Sequence, residues 1–542
     1  MSAPENLAAD VIIAGGGLAG LVAAYELIGA GKKVLLLDKD KPDKLGGLAK
    51  ESFGGVHLVG TPHQKRAGIR DTPELAWRDW ESYAAFSPDA DWPRRWAKFY
   101  CENSYEFIYE FMDHKKISFL PVVNWPERGV FVPGNSVPRW HITWGTGYEI
   151  IFRLLAALDA HPKRSLLDIR CEHEVSDFDV QSGRAVGVAG KRMADGSAFT
   201  AKAEHVILAT GGICGGDLSK LRQHWLAEWG APPKKILNGA HIYADGMMHD
   251  RVVEHGGNVT HLENQWHYAA GVHHPAKRKP DDGLSLVPPR SALWLNALGQ
   301  RIGPQPLVGY TDTRFLVESI VKQPGQYSWQ LMNWKIATKE LAVSGSDYMT
   351  AFRNKKKLLL LKHLIFGNRE LIERLIRECP EDFAVARSLP ELVEQMNQRS
   401  LFGLTVDKAA VETAAREYDD QIDRGPAYHN DDQLRRIAGF RTYRGDKLRI
   451  CKFQKIVDEK AMPLIAVREF ILSRKSLGGI QTDLQCRVLT PAGTPISGLY
   501  AVGEAAGFGG GGIHGRGSLE GTFLGGCVLT GRVAGQTIAR GA

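Results

Sequence analysis

The stretch Val11-Ile12-Ile13-Ala14-Gly15-Gly16-Gly17-Leu18-Ala19-Gly20 decides the fold. Its four apolar residues read as a buried strand, the glycines as a tight turn, and Leu18 to Ile28 as a helix of small and apolar residues. Gly29 to Lys33 turns the chain, and Val34-Leu35-Leu36-Leu37 supplies the parallel partner strand of a βαβ unit. In such a unit Gly15 makes the turn, Gly17 admits a pyrophosphate and Gly20 lets helix and strand close up, while the helix start at Leu18 and Ala19 points N–H groups at the phosphates. Asp38, with Lys39 beside it, ends the second strand where a carboxylate can bond ribose hydroxyls. The turn alone does not separate FAD from NAD, and a βα turn without a ligand is its bland alternative.

Two later segments complete the site. His205-Val206-Ile207-Leu208 is a buried strand that runs into Ala209, Thr210, Gly211 and Gly212, small residues past which a dinucleotide can lie closely. Gly498-Leu499-Tyr500-Ala501-Val502 is another, followed by Gly503 and Glu504, whose carboxylate is placed to bond a ribityl chain or, in the plainer reading, to cap a helix entry. The three signals in this order predict an α/β protein with a Rossmann-type, three-layer FAD-binding domain that is discontinuous in sequence. Helical patterning over Asp347 to Ile365, Arg369 to Glu378 and Lys408 to Ile422 marks an inserted unit, while Lys322 to Trp334 and Gly425 to Lys447 are hard to read. The expected division is residues 1–265 and 446–542 for the FAD-binding domain, with an α+β substrate cap over 266–445.

Composition sets limits. The chain has 542 residues, 44% hydrophobic and 24% charged, enough apolar material for more than one core. Sixty-eight basic against 61 acidic residues leave +7, scattered rather than striped, which argues against nucleic acid as partner. Seven cysteines without a CxxC pair argue against zinc, iron–sulfur and attached haem, and no metal is predicted; His267, Tyr268, His273 and His274 lack regular ligand spacing. The start of the chain has no secretory pattern, and the run from Leu358 to Phe366, broken by Lys362 and His363, is too short to span a bilayer. A cytoplasmic protein without a transmembrane segment is expected. Lys355-Lys356-Lys357 and the leucines after them read as a cap helix with solvated lysines, contact with an anionic membrane being the alternative. Arg139 to Gly147, with Trp140 and Trp144, reads as core packing or as a pocket wall.

On these motifs the chain resembles the flavoprotein family of fumarate reductases, succinate dehydrogenases, L-aspartate oxidases and 3-ketosteroid Δ1-dehydrogenases, over nearly its whole length. The family's Ser-x-Gly-Gly along the isoalloxazine is matched by Ser52-Phe53-Gly54-Gly55, and its cap opening by Asn296-Ala297-Leu298-Gly299-Gln300-Arg301. Leu48-Ala49-Lys50 lacks the histidine to which respiratory members attach FAD, so the resemblance implies non-covalent FAD. It further implies that backbone groups of Gly517, Ser518, Leu519, Thr522 and Phe523 face the flavin and favour negative charge on the reduced ring.

The resemblance implies an FAD-dependent oxidoreductase acting on a CH–CH bond next to a carbonyl, with a ketosteroid-like or cyclic small-molecule substrate. Fumarate-reducing members carry histidine and arginine where this chain has Lys475 and Ser518, and the tyrosine of ketosteroid dehydrogenases is absent between Gly510 and Ile513. A ketosteroid-dehydrogenase-like branch fits the tail Gly509 to Phe523. Enoate or dicarboxylate reduction and an electron-carrying subunit of a larger complex are the alternatives. Candidates for substrate contact and proton transfer are His514, Arg516, Lys475, Arg468 and Arg441. The electron acceptor and the oligomeric state, a homo-oligomer included, are left open.

Overall fold

The computed structural model describes residues 5–120 and 125–541. The βαβ unit forms as read: strands Val11–Ala14 and Val34–Leu37 pair in parallel, joined by helix Leu18–Gly29. All four residues of each strand are buried because helices such as Leu18–Gly29 cover one face and the strands His173–Gln181, Arg184–Arg192 and Ala198–Lys202, with helix Met247–Glu254, cover the other, which is why the sequence shows apolar runs and not alternation. Outward from this pair the parallel sheet adds Leu167–Arg170 on one side and His205–Leu208 then Pro495–Ala501 on the other. An antiparallel wing of His173–Gln181, Arg184–Arg192 and Ala198–Lys202 joins beyond Pro495–Ala501, and Glu5–Ala8 closes that edge. The C-terminal strand thus lies inside the sheet, between strands made some 300 residues earlier, as a discontinuous Rossmann-type domain requires.

The last helix, Thr522–Ala539, lies against the first. A methyl group on Gly531 would fall 2.5 Å from the Ala19 carbonyl oxygen, so only glycine lets the two backbones approach this closely.

The second unit is built on an eight-stranded sheet with Leu464–Ser476 at its centre, flanked by Tyr327–Asn333 and Gln265–His273. The nine residues of Gln265–His273 are all buried. This sheet runs from Leu237 to Ser476, past both expected cap limits of 266 and 445, because Leu464–Ser476 pairs with cap strands before the chain returns to the FAD-binding domain. Tyr327–Asn333, unreadable in sequence, is a central strand, and Asp432–Phe440 and Arg444–Arg449 are helices.

The helix expected over Asp347 to Ile365 is two helices, Thr350–Arg353 and Lys357–Phe366, because Lys355 turns with a φ of +55°. Lys355 is ion-paired to Glu149 of the FAD-binding domain. On Lys357–Phe366, Leu358, Leu361, Ile365 and Phe366 face outward while Leu360, His363 and Leu364 form part of an inner cavity wall. No helix among the described residues is long and apolar enough to cross a membrane.

Candidate active site

Three cavities run end to end from the glycine turn into the cap. The first, about 180 Å³, is lined by Gly15, Gly17, Leu18, Ala19, Asp38, Lys39, Ala209, Thr210, Gly211, Gly503 and Glu504. Gly15 has a φ of +111°, and a Cβ there would sit 2.3 Å from the Ala209 carbonyl oxygen, so the turn is tight against the neighbouring strand end. Asp38 holds the turn: its Oδ2 accepts the Gly16 N–H at 2.6 Å and its Oδ1 that of Asp40 at 2.7 Å. Helix Leu18–Gly29 starts at Gly17 without a side-chain cap, so its first N–H groups point into the cavity unpaired by side chains. Lys39 is paired with Glu174 at 2.5 Å and lies over the Tyr243 ring. An uncapped helix start, a carboxylate at the strand end and a long groove between them fit the adenosine and pyrophosphate of FAD.

The second cavity, about 100 Å³, shares Leu48, Ala49, Glu504 and Cys527 with the first and is lined further by Ser52, Phe53, Gly54, Gly55, Trp140, Tyr268, Arg474, Lys475, Glu520 and Phe523. Glu504 therefore stands at the joint. Burial raises its pKa, and its Oε1 accepts the Ser476 N–H at 3.0 Å. Helix Thr522–Ala539 starts at Gly521, on this lining, again without a side-chain cap. A cavity lined by Ser52, Gly54 and Gly55, by aromatic rings and by an uncapped helix start fits an isoalloxazine ring. Among the described residues no group of three His, Cys, Asp or Glu is arranged to hold a metal ion.

At the cap side of this cavity, Lys475 donates to the Tyr268 hydroxyl at 3.2 Å, and Tyr268 donates to Glu520 Oε1 at 2.8 Å. Trp266 Nε1 also donates to that oxygen, at 3.3 Å. The Lys475 ammonium lies 3.8 Å from the Phe523 ring centroid. Burial pushes the Lys475 pKa down to about 8, against the pull of Glu520, and burial raises that of Tyr268 well above the phenol range. The result is a buried chain of three proton-carrying groups with an amine poised near neutrality.

The third cavity, about 100 Å³, lies in the cap and shares Phe53, Trp140, Ser344 and Glu520 with the second. Its other walls are mainly apolar, with Met349, Phe352, Leu360 and Leu364 among them. Trp140, read as packing or pocket wall, stacks on Phe53 at 6.1 Å and lines both cavities.

Lys475 is the one candidate for substrate chemistry that the structure brings to these walls. His514 is fully buried behind them, stacked on Trp80 at 5.8 Å, bonded through Nε2 to Thr522 Oγ1 at 2.8 Å, and screened from the cavity by Phe508 and Phe523. Burial holds its pKa well below the usual imidazole value, so it is a neutral packing residue. The Trp80 indole donates to the Ile513 carbonyl and the Ala84 carbonyl accepts the Arg516 N–H, which draws the glycine-rich loop around His514 into the core.

Arg516 points away, and its Nη1 donates to both carboxylate oxygens of Glu228 at 2.8 and 3.0 Å. Arg468 is buried on Asp382 at 3.0 Å, and Arg441 bonds the carbonyls of Lys447 and Ile450. Of the tail, Phe523 lines the cavity. Gly517, Ser518, Leu519 and Thr522 lie behind it, the hydroxyls of Ser518 and Thr522 bonded to each other at 3.0 Å. Sequence reasoning missed Tyr268 and Glu520. The available signal was the Trp266/Tyr268 alternation on a strand whose Trp266 registers with Lys475.

The FAD binding domain family model matches residues 10–524. A KsdD-like steroid dehydrogenase of Mycobacterium tuberculosis is 39% identical over 555 residues, covering 99% of this chain and 96% of that protein. Among solved structures, the open form of a flavocytochrome c3 fumarate reductase superposes with a TM-score of 0.68 at 21% identity, covering 99% of this chain and 79% of that one. The 3-ketosteroid Δ1-dehydrogenase of Sterolibacterium denitrificans gives 0.68 at 15%, covering 99% and 100%. Equal scores for two different chemistries leave these likenesses as statements about fold.

Proposed function

The chain belongs to the FAD binding domain family, and from that premise we propose that it is an oxidoreductase introducing or removing a C=C bond next to the carbonyl of an apolar, cyclic, steroid-like substrate. The observation that carries the reading is the shared wall: Phe53, Trp140, Ser344 and Glu520 line both the cavity fitted to the flavin ring and the apolar cap cavity, so a substrate in the cap meets the ring directly.

FAD, held without a covalent bond since Leu48-Ala49-Lys50 offers no histidine, supplies a hydride acceptor or donor at N5. Asp38 and the uncapped start at Gly17 would hold its ribose and phosphates, and Glu504 would hold the ribityl chain. The proton of the reaction is handled by this chain. Tyr268 Oη takes a proton from the substrate carbon or gives one to it, and Lys475 and Glu520, bonded to the same hydroxyl, refill or drain it. Phe53, Trp140 and Phe523 exclude water from that transfer.

Anaerobic mixing of the FAD-loaded protein with 4-androstene-3,17-dione, with 2-cyclohexenone and with fumarate tests the reading. Bleaching of the flavin by the steroid, or reoxidation of reduced flavin by an enone, is expected. Reaction with fumarate alone would overturn it.

A further inference from the structure

The cap cavity is not apolar throughout. In the part it does not share with the flavin-ring cavity stand Arg449 and Lys339, and Arg449 also lines a small side cavity of about 30 Å³ together with Tyr310 and Glu340. The carboxylates nearby are already committed. Glu340 Oε2 accepts the N–H groups of Arg290 at 2.9 Å and Ser291 at 3.2 Å, and its Oε1 accepts that of Cys451 at 2.7 Å. Asp446 takes Arg290 Nη1 at 2.7 Å on one oxygen and Arg128 on the other. The side chains of Arg449 and Lys339 have no hydrogen-bond or ion-pair partner among the described residues, although Arg449 lies deep enough that burial, with Arg290 close by, lowers its pKa. His363, on the same wall, is held below the usual imidazole value by burial and adds no charge at neutral pH.

Asp446 and Glu340 attract Arg449 without a hydrogen bond to it, so its donors and those of Lys339 are left for an anion that enters the largely apolar cavity. A guanidinium presents a planar fork that matches a carboxylate. We propose that Arg449, assisted by Lys339, is a carboxylate-binding subsite, and that the substrate is an apolar ring body whose side chain ends in an acid. Resting on the reading of the cap cavity as the substrate site, this orients the ring to be oxidised or reduced toward Glu520 and the flavin, and the acid toward the side cavity.

The test uses the FAD-loaded protein and a matched pair of probes, 3-oxo-4-androstene-17β-carboxylic acid and its methyl ester, with Kd read from the perturbed flavin spectrum. Decanoate and decanamide are measured beside them by calorimetry, which needs no flavin signal. The acid is expected to bind at least about tenfold more tightly than the ester. Arg449→Gln should bring that ratio to about one, and Arg449→Lys should restore part of it.

Equal binding of acid and ester in the native protein, or a ratio unmoved by Arg449→Gln, overturns the subsite and leaves the CH–CH reading standing. Decanoate binding that is stronger than decanamide binding and lost in Arg449→Gln, with no response to either steroid, keeps the subsite and removes the steroid-like ring. Absence of binding by all four probes overturns both.

Discussion

Two cations on strand Leu464–Ser476, Arg468 and Lys475, have opposite fates. Arg468 is neutralised: Asp382 Oδ1 takes its Nη2 at 3.0 Å while the same carboxylate takes the His273 N–H at 2.7 Å, tying three strands of the cap. Seven residues on, Lys475 meets no carboxylate directly. It reaches Glu520 only through the Tyr268 hydroxyl, and it faces a cavity. A cation paired on all sides is structure; one left with a hydroxyl and an aromatic ring keeps a titration near neutrality. The strand changes role because its end, still paired with Gln265–His273, borders the cavity at the joint between the two units.

The largest expected effect is at the closed end. Asp382→Ala strands the Arg468 guanidinium in the core and should cost about 3–5 kcal/mol of unfolding free energy in urea denaturation. An unchanged midpoint would erase the contrast. At the open end, Lys475→Met should leave the midpoint within about 1 kcal/mol while lowering flavin reduction by substrate about 10²- to 10³-fold in stopped flow.

The pH profile sharpens the same point. Burial lowers the Lys475 pKa to about 8, so the amine is protonated below that value and neutral above it. Dehydrogenation, which needs a proton acceptor, should rise with pH through about 8, and Lys475→Met should flatten that limb. Tyr268→Phe removes the hydroxyl through which Lys475 acts and should slow the step at least as far, about 10²- to 10³-fold, with little effect on substrate Kd. Smallest of all, Arg516→Gln breaks an exposed ion pair to Glu228 and should change both stability and rate by less than about 1 kcal/mol.

What the sequence made legible was backbone chemistry. Gly15, Gly17 and Asp38 must stand at fixed spacing for a strand, a turn and a helix start to surround a pyrophosphate, so their pattern is local and readable. Amphipathic surface helices were equally plain: Arg369–Glu378 has the expected limits and Lys408–Asp423 differs by one residue. The cap sheet was not, because Gln265–His273 and Tyr327–Asn333 are buried on both faces and lose the two-residue alternation that marks a strand. Nor was the Tyr268–Glu520 contact, which joins residues 252 apart in sequence. The arginines misled for a simpler reason. Arg441, Arg468 and Arg516 each find a partner that only the folded chain supplies.

The position of Pro495–Ala501 has a consequence for how the protein is made. Its neighbours in the sheet, Arg184–Arg192 and His205–Leu208, leave the ribosome roughly 300 residues before it does, at about 5–20 residues per second, so the nascent sheet waits tens of seconds with its middle place open. Gly503, Glu504 and the helix lying on Leu18–Gly29 arrive later still. A complete FAD site therefore waits on the segments after residue 495, and a chain cut short of that residue would retain the glycine turn yet present an unfilled sheet to the chaperones.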